Sequence, residues 1–312
     1  MGDRDMQDGG GGSEVWRGGV NAWECDEMGH LNTRFYVARC MEGLSVLFAL
    51  AGLPRVFAPD AAAVTAQVDE MHIRFHREAP VATPLYLTAG FSRLGDADAE
   101  VVALLRHGIG GALAATFRVA LRASAPNGDA RGWPAPFRAR GEAFGMAVPT
   151  EARPRSVRSG PIPAIDGAAG LHAHLRIALG SLAMADCDAF GRMLPQKFLG
   201  AVSDGIRGLT TPLREIVVRH AQTAPEHVGG AVLEFRIVHV DRPRTGDCFE
   251  VRSAFTAADG KTMSLEHWMV DPIDGRIWGH MESVAVVFDI DRRKIVGITD
   301  EALAALRPMM LA

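Results

Sequence analysis

Apolar residues recur at helical spacing in one early segment of the chain and alternate with polar residues in the segments around it. One face of a predicted α-helix is formed by Phe35, Ala38, Met41, Leu44 and Phe48. Gly52-Leu53-Pro54 predicts the end of this helix. The alternating runs predict one short strand before the helix and four strands after it, over 15–23, 64–77, 85–93, 100–108 and 111–123. This order predicts an α+β unit with the helix packed on a curved antiparallel sheet.

The second half of the chain has the same order of predicted elements. A short strand over 175–184 precedes a second helical pattern, which Gly200 and Gly205 weaken. The apolar residues of that pattern are Phe198, Val202, Ile206 and Leu209. Four strands are predicted after it, over 231–240, 248–256, 261–271 and 276–288.

Two motifs occur twice in the chain at nearly the same separation. An acidic-Cys-Asp-x-apolar-Gly-basic motif spans 24–30 and recurs over 186–192, at an offset of 162 residues. A second motif with an offset of 163 is carried by His76, Pro80, His239 and Pro243. Because two separate motifs keep almost the same offset, we interpret the chain as an internal duplication.

The duplication predicts two domains, which also fits a length of 312 residues. A segment rich in Pro, Gly, Arg and Ala between the repeats predicts a linker. The predicted organisation is a flexible N-terminal arm over 1–13, a first domain over 14–123, the linker over 124–170, a second domain over 171–290 and a C-terminal extension over 291–312, with a helix near 299–306.

Charge and composition exclude several classes of function. A formal charge of -4 and a pI near 6.3 argue against a nucleic-acid-binding protein. No run of 18 apolar residues predicts a membrane span, and the Gly-rich acidic start does not resemble a signal peptide. The four cysteines form no C-x-x-C pair, so we expect reduced thiols and a cytoplasmic location. No residues have metal-ligand spacing, so we expect no metal and no other cofactor.

The string Asp26-x-x-Gly29-His30-x-Asn32, followed by Tyr36, resembles the signature of the 4-hydroxybenzoyl-CoA thioesterase-like branch of the hotdog superfamily. The resemblance implies two tandem hotdog domains, each a long helix wrapped by a curved antiparallel sheet, that form an intramolecular pseudo-dimer. It also implies active sites at the seam between paired units, at the N-terminal end of the helix. The implied activity is hydrolysis of a small-molecule acyl-CoA, with coenzyme A as part of the substrate.

The motif can be read in terms of thioester chemistry. Asp26 can attack the carbonyl directly or deprotonate a water molecule. The first amides of the helix, near Thr33, can stabilise the oxyanion, and Gly29 permits a tight turn. His30 and Asn32 are candidate positioning residues. The alternative roles are helix capping for Asp26 or Asn32, a structural hydrogen bond for His30, and core packing for Tyr36, which we otherwise assign to substrate binding.

The second copy of the motif departs from this pattern. It keeps Asp188 and Gly191, but Arg192 replaces the histidine, and Pro195 in the first helical turn lacks an amide donor. Arg192 can either weaken Asp188 as a base or bind a phosphate of coenzyme A. We therefore predict a degenerate second site that chiefly supports the first.

Four arginines near matching strand ends are candidates for binding the phosphates of coenzyme A, or are ordinary solvated charges: Arg74, Arg77, Arg242 and Arg244. Two other functions suit the same fold. One is hydration or dehydration of an enoyl thioester, although the Asp and His of this chain do not occur in the hydratase motif. The other is a non-catalytic module that binds acyl-CoA. Pairing of two fused chains into a homo-oligomer is a further hypothesis.

Overall fold

The computed structural model describes residues 11–58, 64–221 and 227–311. Residues 1–10 of the predicted N-terminal arm lie outside the described residues. The chain divides into two compact units, the first ending at Arg153 but including Met184–Leu199, and the second formed by Pro154–Ala183 and the chain from Gly200 onwards. Within the described ranges, no helix is long and apolar enough to cross a membrane. The predicted domain boundaries follow the sequence repeat and stay predictions.

In the described part of the first unit, five strands form an antiparallel sheet. They are β1 (Ser13–Gly19), β2 (Thr65–Phe75), β3 (Pro84–Leu94), β4 (Asp98–His107) and β5 (Leu113–Ser124). Their order across the sheet is β1-β3-β4-β5-β2. Helix α1 (Thr33–Leu50) packs on β1 and β3 and buries Leu44, Leu47 and Phe48. The predicted helix and strands of this half are confirmed, with end shifts of a few residues.

The described strands of the second unit repeat this topology. They are β6 (Leu175–Ser181), β7 (Val228–His239), β8 (Cys248–Ala258), β9 (Met263–Val270) and β10 (Ile277–Asp289), and a short β11 (Lys294–Ile295) pairs with β10. The order β6-β8-β9-β10-β7 matches that of the first unit strand for strand. Across the described residues of both units, six short 3-10 helices lie at Ala22–Glu24, Glu142–Phe144, Thr150–Ala152, Gly167–Leu171, Met184–Asp186 and Arg307–Met309.

The second helical pattern of the sequence forms two helices. Helix α3 (Pro195–Gly205) and helix α4 (Arg207–Arg219) are separated by Ile206. The predicted C-terminal helix is present as α5 (Asp300–Leu306), and its Ala302 and Leu306 share a core with residues of α4 and the sheet. The other buried residues of that core are Leu213, Val217, Phe255, Met263, Leu265, Ala285, Val287 and Ile298.

Two glycines at equivalent repeat positions allow the helices to approach the sheets closely. A Cβ on Gly43 would overlap the side chain of Leu87 and lie 2.9 Å from Cγ2 of Val15. A Cβ on Gly205 would overlap the carbonyl oxygen of Ile177 and lie 2.8 Å from its carbonyl carbon. Gly205 therefore weakens the helical pattern in the sequence because the packing requires a residue without a side chain there.

We expect Gly205→Ala to lower the free energy of unfolding by about 2 kcal/mol, because backbone atoms cannot move aside as a flexible side chain can. Gly208→Ala is the matched control, since its Cβ would meet only Leu175 Cδ2 at 4.0 Å. This control should be neutral or stabilising by up to about 1 kcal/mol. Urea unfolding of both variants measures the difference, and equal midpoints would contradict the packing argument.

The predicted linker is folded onto the sheets. Helix α2 (Ala135–Gly141) places the ring of Phe137 on that of Phe48, with centroids 5.2 Å apart, and Trp133 is buried beside both. In the second unit, buried Glu234 accepts hydrogen bonds from the amides of Arg155 and Ser156, both at 2.8 Å. Such charge-assisted bonds hold the segment over the sheet.

Candidate active site

Asp26 lies in a tight turn that its glycine makes possible. The Gly29 amide donates to the carbonyl of Asp26 at 3.0 Å, and the Asp26 amide donates to the carbonyl of His30 at 2.9 Å. Gly29 has a φ of 76°, in the left-handed region that favours glycine. Cys25 pairs with Leu31 across the base of the turn. The turn therefore fixes the Asp26 backbone immediately before helix α1.

The two oxygens of the Asp26 carboxylate differ in their hydrogen bonds. Oδ1 accepts hydrogen bonds from the amides of Met28 at 2.9 Å and His30 at 3.3 Å. Among the residues that the structure describes, none donates a hydrogen bond to Oδ2. The side chain is half-buried. The carboxylate is thus oriented by the backbone, with one oxygen available for chemistry.

The N-terminus of helix α1 follows this turn. Asn32 is the N-cap, and its Oδ1 accepts from the Arg34 amide at 3.1 Å. The Phe35 amide donates to the carbonyl of Asn32 at 2.9 Å. In the described part of the chain, the Thr33 amide makes no hydrogen bond. It is therefore a donor at the positive end of the helix dipole, which suits a developing oxyanion.

Residues 78–81 form the other side of this site. The Leu31 amide donates to the carbonyl of Ala79 at 2.9 Å, and Nε2 of His30 lies 3.6 Å from Oε2 of Glu78. Glu78 is not among the site residues predicted from the sequence. The pattern that could have indicated it is the triplet Glu78-Ala79-Pro80, which recurs as Asp241-Arg242-Pro243.

Tyr36 lies in the core below the turn. Its ring meets Phe75 edge-on with centroids 5.1 Å apart, and its side chain is buried. Burial raises the pKa of the Tyr36 hydroxyl above its usual range, a backbone hydrogen bond from Ala79 opposes the shift, and the charges of Glu78 and Asp26 add to it. Tyr36 therefore stays protonated.

Cys25 is the other nucleophile type beside Asp26. Its Sγ donates to the carbonyl of Asn21 at 3.4 Å. Burial raises the pKa of this thiol, and the neighbouring charges of Asp26 and Glu24 raise it further. Since the thiolate is the reactive form of cysteine, this environment disfavours Cys25 as the attacking group.

The second copy of the turn has the same backbone geometry. The Asp188 amide donates to the carbonyl of Arg192 at 2.7 Å, and Gly191 has a φ of 73°. Oδ1 of Asp188 accepts from the amides of Phe190 and Arg192, both at 2.9 Å. The repeat therefore reproduces the turn that orients a carboxylate.

The chemistry of the second copy differs because Arg192 occupies the other oxygen. Its Nε and Nη2 both lie 2.9 Å from Oδ2 of Asp188, and its side chain is 5% exposed. Pro195 is the first residue of α3, at the position that Thr33 has in α1, so no amide hydrogen is present there. Two roles are predicted for Arg192: weakening Asp188 as a base, or binding a phosphate of coenzyme A. In the structure its side chain pairs with Asp188, the contact that the first role needs.

The candidate phosphate-binding arginines have different contacts in the two repeats. Nη1 of Arg74 donates to the carbonyls of Thr150 and Arg153, both at 3.2 Å, and so ties the linker to β2. Arg77 is exposed just beyond the end of β2. Arg242 and Arg244 belong to the second unit, where their amides donate to Asp241 and Asp247.

Comparison with known proteins gives a family match. A family model of the thioesterase-like superfamily matches residues 20–123 and 182–306, which include both copies of the turn. A comparison with curated protein sequences gives no match.

Solved structures share the fold over most of the chain. A protein described as an oleoyl thioesterase from Lactobacillus plantarum has a TM-score of 0.67 and 11% identity, with 88% of this chain and 96% of that chain covered. The 12:0-ACP thioesterase from Umbellularia californica has a TM-score of 0.67 and 9% identity over 86% and 92%. An acyl-ACP thioesterase from Bacteroides thetaiotaomicron has a TM-score of 0.61 and 8% identity over 86% and 96%.

Proposed function

We propose a specific reaction for this chain on the premise that it belongs to the thioesterase-like superfamily and is a thioester hydrolase. The resemblance predicted from the Asp26 motif is thereby confirmed. The fold is of the hotdog type, with antiparallel sheets and few helices. We propose further that the two repeats are tandem hotdog domains, which their matching strand orders support. The intramolecular pseudo-dimer implied by the resemblance is part of this proposal.

The proposed reaction is hydrolysis of an acyl-CoA to a free acid and coenzyme A, with Asp26 as the central group. As a general base, Asp26 takes a proton from water while the hydroxide attacks the thioester carbonyl. As a nucleophile, it forms a mixed anhydride and expels the thiolate, and water then cleaves the anhydride. In both routes the thiolate leaves as coenzyme A and takes up a proton.

The observation that carries this proposal is the contrast between two carboxylates in identical turns. Oδ2 of Asp26 accepts no hydrogen bond from the described residues, whereas Oδ2 of Asp188 is closed by Arg192. The amide of Thr33 is available as an oxyanion donor, whereas Pro195 has none. We therefore propose that the first motif is catalytic and the second is structural.

Release of free thiol from a panel of thioesters tests this function. The panel contains short, long, aromatic and hydroxylated acyl groups, each on coenzyme A and on acyl-carrier protein, because two solved structures with this fold are described as ACP thioesterases. We expect turnover of at least one acyl-CoA, unchanged by EDTA because the proposed reaction uses no metal. Turnover of carrier-protein substrates alone would contradict the CoA assignment, and binding without turnover would favour the non-catalytic module.

The cytoplasmic location and the pairing of two chains stay predictions. The four cysteines are free thiols in the structure. Gel filtration of the purified chain measures its oligomeric state.

A further inference from the structure

The segment that carries Glu78 is fixed to the Asp26 turn by its backbone. The Leu31 amide donates to the carbonyl of Ala79 at 2.9 Å, and the Val81 amide donates to the carbonyl of Gly29 at 3.2 Å. These two bonds lie on either side of His30, which pairs with Pro80. The position of Glu78 relative to His30 is therefore set by main-chain geometry.

The side chains of Glu78 and His30 meet within this frame. Oε2 of Glu78 lies 3.6 Å from Nε2 of His30, and the two side chains are 28% and 18% exposed. This partial burial reduces the solvent screening that makes exposed pairs weak. At this distance a small movement of either side chain makes a direct hydrogen bond, and catalytic contacts commonly tighten when substrate binds.

The second repeat provides a comparison within the same molecule. Asp241 is equivalent to Glu78, and its Oδ2 lies 3.7 Å from Nη1 of Arg276. Arg192 is equivalent to His30 and pairs with Asp188. In the second repeat, the basic residue of the turn pairs with the aspartate, and the acidic residue lies near Arg276. In the first repeat, His30 approaches Glu78 and Oδ2 of Asp26 stays open.

We propose that Glu78 is a positioning residue for the reaction, acting through His30. Its carboxylate accepts the hydrogen on Nε2 and so selects one tautomer of the imidazole. Nδ1 of His30 then has a lone pair that accepts a hydrogen bond from the attacking water. This inference rests on the proposed thioester hydrolysis and adds a residue and a role to it.

A double-mutant cycle tests whether Glu78 acts through His30. The variants are Glu78→Gln, His30→Ala and the combination, with kcat and KM measured on the best thioester of the panel. We expect Glu78→Gln to lower kcat about tenfold, with KM changed less than about twofold, and to have no further effect beside His30→Ala. An equal loss in both backgrounds, or no loss in either, would overturn the proposal.

Two controls separate this result from a loss of structure and from failure of the proposed function. Asp241→Asn removes the equivalent carboxylate of the second repeat and should leave kcat unchanged. The ¹⁵N shifts of the His30 ring report its tautomer without any turnover. We expect the Nε2–H form in the wild type and a mixture in Glu78→Gln; the same spectrum in both would overturn the proposal even if no thioester is hydrolysed.

Discussion

Asp26→Asn is expected to lower kcat for thiol release by about 10³, within the range measured for loss of a general base. That factor corresponds to about 4 kcal/mol of activation free energy. The amide side chain keeps an oxygen that can accept from the amides of Met28 and His30, so the turn should persist. What is lost is the negative charge on the open oxygen. Steady-state kinetics beside circular dichroism separate lost chemistry from lost structure.

Asp188→Asn is the matched control, because the same turn holds the same side chain. We expect its turnover to stay within about twofold of the wild type, since the Arg192 side chain already occupies the second oxygen. Thermal unfolding should be affected more, because removing the carboxylate leaves a guanidinium that is 5% exposed without its partner. The reverse outcome, with Asp188→Asn inactive and Asp26→Asn active, would show that the halves are assigned the wrong way round.

The local parts of this site could be predicted from the sequence because they follow local rules. Glycine at the third position after each aspartate predicts a tight turn, and both glycines have a positive φ. Asn32 before an apolar run predicts a helix cap, and its side chain accepts from the Arg34 amide. Alternation and turn signals predict the strands of each unit, whereas the order of those strands in the sheet is given by the structure.

The remaining features depend on contacts between residues far apart in the chain. Glu78 is 48 positions from His30, and only the pairing of the two backbones brings their side chains to 3.6 Å. The composition of residues 124–170 predicts a linker. It does not predict that Phe137 stacks on Phe48 or that Glu234 accepts a hydrogen bond from the Arg155 amide. Aromatic packing and the placement of buried charges depend on which distant segments meet in the folded chain. No local spacing of residues in the sequence indicates those contacts.

Thr33→Pro is expected to lower kcat by about 10²–10³ while the chain still folds, because it removes the proposed oxyanion donor and little else. The first helical position is where proline is best tolerated, since its amide has no partner inside the helix. The second repeat already has Pro195 at this position. Asn32, with a φ of -64° and a ψ of 141°, has the extended backbone that a following proline requires.

Thr33→Ala distinguishes the amide from the hydroxyl, because alanine keeps the N–H and removes only the side-chain oxygen. We expect kcat of Thr33→Ala to stay within about threefold of the wild type, as for loss of a single neutral hydrogen bond. If both variants unfold like the wild type and Thr33→Pro still turns over at the wild-type rate, the Thr33 amide is not the oxyanion donor. If instead the alanine variant loses as much as the proline variant, the hydroxyl is the donor, and the second repeat lacks it for the same reason. A loss in Thr33→Pro alone assigns the oxyanion donor to the Thr33 amide, since both substitutions act at one position whose backbone is suited to each.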